Sequence, residues 1–374
     1  MCGAHAQVMP AAELSIGLRL EGVTRTGVRE ALWSERSLVK TRGPRGTVHL
    51  LPARDLAWWC GALAAVPSAS SPGDRLTAAQ TEAVVAAIDG VLTERDAELT
   101  AEELDEGVIA ATGPWAAERL PIFASGSWPR WRWALAEAAT RGVVCFGPNR
   151  GNRATYTSSR RWLPDFRPAE AQAALTWLVR RYLYAYGPAT AQRFAQWVAG
   201  PRRWATALFE SLAGELEEVE VEVEGLEGRV AFVLAGDTGA PPAPPGGVRL
   251  LPYFDAYGVG CHPRELVFPG VARERALAGG QAGNFPVLLV CGVVGGVWQS
   301  RRTGRTGRTG RTGRTGRTGR TGSSGEGIEL TVEPFGPLDA EQRRELEREA
   351  QRTGEILEAR VTLHLGAVSA RAHA

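Results

Sequence analysis

Five cysteines, five histidines and a single lysine are the side chains of this 374-residue sequence best suited to covalent or metal chemistry. Cys2, Cys60, Cys145, Cys261 and Cys291 are scattered, odd in number and never form a Cys-x-x-Cys pair. That pattern argues against a structural zinc site and a disulfide framework, and it predicts small apolar residues of the interior. Cys261 and His262 set a thiol beside an imidazole, but consecutive strand residues point to opposite faces, so the two do not make a nucleophile and its base. His49 alternates with apolar neighbours in Thr47-Val48-His49-Leu50-Leu51 and reads first as a half-buried strand residue. There is no Gly-rich phosphate loop, no metal-ligand spacing and no Gly-x-Ser-x-Gly, so neither a metal nor a cofactor is expected. Lys40 is the only lysine; it and the terminal amine are the only amines able to form a Schiff base.

The arginines suggest a second kind of chemistry, the binding of phosphate. Arg42 and Arg45 flank Gly43-Pro44, Arg150 and Arg153 lie about a Gly-Pro-Asn-Arg-Gly-Asn turn, Arg202 and Arg203 open a helix, and Arg301 and Arg302 lead into a repeat. Each reads equally as a solvated turn or helix end. Asp255, in Pro-Tyr-Phe-Asp-Ala-Tyr-Gly, has two readings, a role near a nucleic acid or a cap on a turn. Net charge is +2, but seven arginines belong to one run of Arg-Thr-Gly repeats over 302–322, and without them the chain is near −5. Bulk charge therefore gives no argument for nucleic acid, and any binding must come from local clusters.

Positioning these residues requires several modules. The composition, 44% hydrophobic and 22% charged, fits two or three globular domains. No membrane span or secretory leader is apparent, so a cytoplasmic, nucleoid-associated protein is expected. A helix over 24–34, a strand ending at Pro52 and a helix from Ala53 suggest part of a winged helix-turn-helix. Helices over 77–94, 101–111 and a Trp-rich 128–141 precede two short β-rich runs that read as a wing. Helices over 168–186, 189–199 and 202–213, separated by Gly-Pro breaks, precede two alternating strands; helix-helix-helix-wing and a plain helical bundle with a hairpin both fit. A Pro/Gly-rich linker at 237–247 leads to strand-like runs, expected as a small antiparallel sheet or partial barrel with one charged helix across it. The repeat falls between two of those strands, either as a phosphate-following arm or as an expansion in a tolerant loop.

Four stretches together resemble one family: Gly3-Ala-His-Ala-Gln7, the run from Ala31 to Leu56, the helix pair from Arg181 to Gly200, and Leu250 to Gly270. They are similar to the AlkZ/YcaQ-like winged-helix proteins, over nearly the whole chain outside the repeat. The resemblance implies an α+β fold of tandem winged-helix modules with a C-terminal β-rich region: winged helices at 1–72, 73–166 and 167–236, the linker 237–247, and a β-rich domain 248–374. Relatives carry a further helical segment ahead of the first motif, so the first module is expected to be N-terminally incomplete. The family's catalytic signature is Gln-aliphatic-Gln or Gln-aliphatic-Asp, and the matching tripeptide here is His5-Ala6-Gln7, with histidine in place of the first glutamine. The resemblance thus implies a DNA glycosylase acting on double-stranded DNA with alkylated bases, without cofactor, membrane or obligate protein partner.

Alkylation at N7 of guanine or N3 of adenine makes the base a cation that leaves readily, so the enzyme must supply a positioned water and stabilise an oxocarbenium-like sugar. In an extended segment residues i and i+2 point the same way, which lets His5 and Gln7 both face C1′ of the lesion. Gln7 would orient water through its amide oxygen, and a neutral His5 would hold the same water or accept its proton. The scarcity of amines implies a monofunctional enzyme that leaves an abasic site. The competing reading is a non-catalytic winged-helix DNA-binding protein or transcriptional regulator.

Overall fold

A computed structural model of the chain describes residues 1–67, 75–122, 126–223, 226–239, 246–277, 279–303 and 327–369. Three helices begin at capping boxes visible in the sequence. Thr77 with Gln80 opens Ala78–Arg95, Thr100 with Glu103 opens Ala101–Thr112, and Asp339 with Gln342 opens Ala340–Leu357. Each box satisfies backbone N–H groups that a first helical turn leaves unpaired. The fold is α+β and divides into two compact units, one comprising 1–12, 27–241 and 260–262, the other 13–26, 242–259 and 263–374.

The first unit contains a three-stranded antiparallel sheet ordered Ala4–His5, Val48–Pro52, Leu38–Arg42. Nearby, helices Leu56–Ala65 and Ala171–Tyr186 meet through Trp59 and Trp177, whose rings are edge-on at 5.4 Å. Their core continues through Leu178, Tyr182, Phe194 and Phe209 into helices Ala191–Val198 and Arg202–Ser211. The hairpin Leu216–Val223 with Leu226–Leu234 follows, tied to the inter-helix turn by reciprocal bonds between Ala189 and Phe232. Glu217, Glu218, Glu220 and Glu222 are exposed along its first strand.

A second core, built on Val84, Ile88, Leu104, Val108, Trp131 and Leu135, underlies the hairpin Val144–Arg150 with Arg153–Ser158. The Trp-rich helix expected over 128–141 is not continuous. Ser127–Pro129 is a strand paired with Arg119–Pro121, Arg130–Ala134 is a tight helical turn, and the α-helix is only Leu135–Thr140. Pro129 takes an extended conformation, and Asp105 then fixes the turn by accepting from Trp131 Nε1 at 2.8 Å and Arg132 Nη2 at 2.6 Å. Those bonds outweigh the helical periodicity.

In the second unit the strand order is Val248–Leu251, Val287–Val290, Val293–Thr303, Gly327–Pro334, Arg360–Leu365. The expected antiparallel sheet or partial barrel is instead an open mixed sheet, because the last pair is parallel. A parallel pair needs a crossover, and Ala340–Leu357 is that crossover, burying Leu346, Ala350 and Ile356. The strands flanking the repeat do form a hairpin, paired as far as Thr303 and Gly327; residues 304–326, most of the repeat, lie outside the described residues. Residues 256–260 are a short helix rather than strand, so Cys261 and His262 follow a helical turn and strand alternation does not govern them. Cys2, Cys60 and Cys145 are buried as expected, but Cys261 is only half-buried and Cys291 is exposed, at positive φ in the Cys291-Gly292 turn. Asp255 is buried in this unit. It accepts from Ser15 Oγ at 2.5 Å, from both Arg19 guanidinium nitrogens at 2.8 Å, and from Tyr257 N at 2.9 Å. Among the described residues no helix is long and apolar enough to cross a membrane.

Candidate active site

The His5-Ala6-Gln7 segment lies along the edge of the three-stranded sheet. Ala4 pairs with Leu50, His5 with His49, and Ala6 N donates to Val48 O at 2.7 Å. Cys2, Ala4 and Ala6 are buried, while His5 is half-buried and Gln7 exposed. The paired strand ends at His5 and Gln7 follows in a bend, its backbone N–H turned towards the His5 ring.

The bond from Ala6 to Val48 makes the adjacent His5/His49 pair a non-hydrogen-bonded one, in which side chains approach most closely. The two rings meet edge-to-face, with centroids 5.1 Å apart and planes at 65°. His49 is buried, and its Nδ1 lies 2.9 Å from Thr47 O. A carbonyl only accepts, so His49 carries its proton on Nδ1 and leaves Nε2 with a lone pair. Burial pushes its pKa down to about 3, with nearby His5 and Arg45 adding to the effect against the bond to Thr47. Burial likewise lowers His5 to about 4, helped by the charge of Arg45. Both imidazoles are neutral at physiological pH. Gln7 N–H approaches His5 Nδ1 at 3.5 Å, a long approach that favours the His5 tautomer protonated on Nε2.

The turn between the two longer strands closes the corner. Gly43 has no room for a side chain, since a Cβ there would lie 2.7 Å from His49 Nδ1 and 2.8 Å from its Cγ. Arg45 adopts φ 59°, and its guanidinium donates to Trp197 O at 2.9 Å on the Ala191–Val198 helix. The strained turn and the helix end thus hold one fixed cation beside the two histidines.

The structure brings His5, Gln7 and Arg45 together and disperses the other sequence candidates. Arg42 is half-buried, donating to Gly46 O at 2.8 Å. Arg150 and Arg153 are exposed at the tip of their hairpin, where Arg150 pairs with Glu103 at 2.8 Å. Arg202 and Arg203 are exposed at a helix start, Arg202 bonded to Gln192 at 2.7 Å. In the second unit Arg301 pairs with Glu329 at 3.1 Å, and Arg302 is exposed opposite Ile328. Sequence reasoning set His49 aside as a strand residue. Its periodicity was the same either way, and only the pairing of strands more than forty positions apart in sequence sets it against His5.

The family described as DNA glycosylase AlkZ-like matches residues 1–356 of the chain. One relative, the interstrand DNA cross-link repair glycosylase of Streptomyces sahachiroi, is 33% identical over 319 residues, spanning 80% of each chain. Among solved structures, the Streptomyces sahachiroi DNA glycosylase AlkZ is similar with a TM-score of 0.73 and 27% identity, over 98% of this chain and 91% of that one.

Proposed function

This chain belongs to the AlkZ-like DNA glycosylase family, and we propose that within it the chain hydrolyses the N-glycosidic bond of alkylated purines, with Gln7 and His5 handling the attacking water. DNA is the substrate; bulky N7-guanine or crosslink-type adducts are the lesions proposed, the second by analogy with the name of the relative. One observation carries the reading: His5, at the end of an edge strand, and the exposed Gln7, in the bend that follows, lie together, with Gln7 N 3.5 Å from His5 Nδ1.

The alkylated base leaves with the electron pair of its bond to C1′, and water supplies the oxygen that replaces it. Gln7 Oε1 accepts from that water, and the neutral His5 donates to it through Nε2–H, so the oxygen is held between a donor and an acceptor of no net charge. A protonated imidazole would oppose the positive charge growing on the sugar, which gives the depressed pKa of His5 a purpose. After bond formation the surplus proton passes to solvent.

The enzyme is proposed to be monofunctional. Lys40 pairs with Leu50, which also faces Ala4, so alternation sets its side chain on the sheet face opposite His5 and His49. Its ammonium lies over the Phe146 ring at 5.2 Å. The tandem modules at 1–72, 73–166 and 167–236 are proposed to carry the duplex, with the exposed Arg150, Arg153, Arg202, Arg203, Arg301 and Arg302 at phosphates. Arg42 and Arg45 are assigned instead to shaping the turn beside the histidines.

The test is abasic-site formation on duplex carrying N7-alkylguanine. Wild type releases the base, and Gln7→Ala slows release by roughly 100-fold or more at saturating protein while duplex affinity persists. Equal rates for the two would remove the site from consideration, and strand scission by pure protein before alkali treatment would contradict the monofunctional assignment.

A further inference from the structure

We propose that His49 is a positioning residue for this reaction, fixing the orientation of the His5 imidazole and so keeping its Nδ1 where Gln7 N–H approaches it. The inference rests on the assignment of His5 to the reaction but follows from separate observations. The non-hydrogen-bonded register brings the two rings to 5.1 Å, edge to face. An exposed histidine on an edge strand would sample several rotamers; here the ring of a neighbour restricts it.

His49 is itself held on several sides. Thr47 O fixes its Nδ1–H at 2.9 Å, the Gly43 backbone lies against its ring, and Gly3 passes close to its Cδ2. A Cβ at Gly3 would meet His49 Cδ2 only at ordinary contact distance, 3.4 Å, its close clash being with Leu51 Cδ2 at 2.6 Å, so it is Gly43 that makes room for the imidazole. A hydrophobic side chain would fill the same space without needing Thr47 O. The buried, singly protonated ring is therefore polar in a place where packing alone does not require it. With Nδ1 committed to Thr47 O, the ring directs no proton towards His5 from that atom, and the pair adds no positive charge to the site.

Three variants separate positioning from bulk stability. His49→Asn keeps a donor for Thr47 O in place of Nδ1–H, His49→Phe keeps the ring and loses the donor, and His5→Ala removes the group acted upon. Two readouts are taken on the full chain: the single-turnover rate of base release at saturating protein, and long-range nitrogen-proton spectra of the histidine side chains. Wild type is expected to show His49 protonated on Nδ1 and His5 on Nε2. His49→Asn, which removes the ring, should slow base release by about 10-fold or more with unchanged duplex affinity and turn the His5 signals into those of a tautomer mixture, because a freed imidazole no longer holds Nδ1 towards Gln7 N–H. His49→Phe, which keeps the ring, should retain most of the rate. In the His5→Ala background the His49→Asn substitution should have no further effect, a non-additivity that general loss of stability does not produce. Unchanged His5 nitrogen shifts in His49→Asn overturn the inference, as do equal losses in both backgrounds. A His5→Ala enzyme as fast as wild type refutes instead the catalytic assignment of His5, an outcome the spectra distinguish because they are read without DNA.

Discussion

Two imidazoles beside a guanidinium resist protonation together, and this has a thermodynamic consequence at the scale of single residues. In the unfolded chain each histidine takes up a proton near pH 6.5, whereas in the fold His5 does so near 4 and His49 near 3. Between those values the unfolded state binds more protons, so stability is intact above 6.5 and is lost as the pH falls, with the contribution of the pair exhausted below about 3. The thermal midpoint should therefore decline from pH 6.5 to 4, and His49→Asn should flatten that decline; an identical slope in the variant would contradict the assignment. The rate of base release, in contrast, should stay level between about pH 5.5 and 8, because no group in the corner titrates there. The sequence made His5 and Gln7 legible through one short motif within a family resemblance. His49 was not legible as their neighbour, because its partner is set by strand register and not by anything within its own run of residues.

At the scale of elements, what local chemistry determines was readable and what distant partners determine was not. The helices over 77–94 and 101–111 were legible from periodicity, and the boxes of Thr77 and Thr100 that open them are equally local, a cap and its return bond being built from residues three apart. The Trp128–Arg141 stretch misled because Asp105, more than twenty positions earlier, claims Trp131 and Arg132. The parallel edge of the second sheet was missed for a similar reason: alternation identifies a strand but not its direction. The turn from Gly43 to Gly46 gives a test at this scale. Gly43→Ala drives a methyl into the His49 ring, so unfolding in urea should show a loss of about 1–3 kcal/mol, the usual range for overpacking, together with slower base release. Full stability in that variant would mean the ring yields freely, against its proposed rigidity.

Across the whole molecule, charge is distributed unevenly. The seven repeat arginines carry more positive charge than the chain's net surplus, and all but Arg302 fall in sequence between the strand that ends at Thr303 and the one that begins at Gly327. Removing 305–322 should leave the thermal midpoint unchanged and lower the salt dependence of duplex binding by about 0.9 in log-log slope for each phosphate that the repeat neutralises. Binding titrations at several salt concentrations measure this, and an unaltered slope would show that the repeat touches no DNA. The single-turnover rate at saturation is expected not to move, because Gly43, Thr47 and Val48 supply the contacts that hold the two histidines. The hairpin beginning at Leu216 has the opposite character: four exposed carboxylates within six residues form a fence whose field repels phosphate. That ribbon is expected to be a bank along the course of a duplex over the first unit, not the bed. Reversing those glutamates to lysine would be expected to open a second, unproductive berth for DNA.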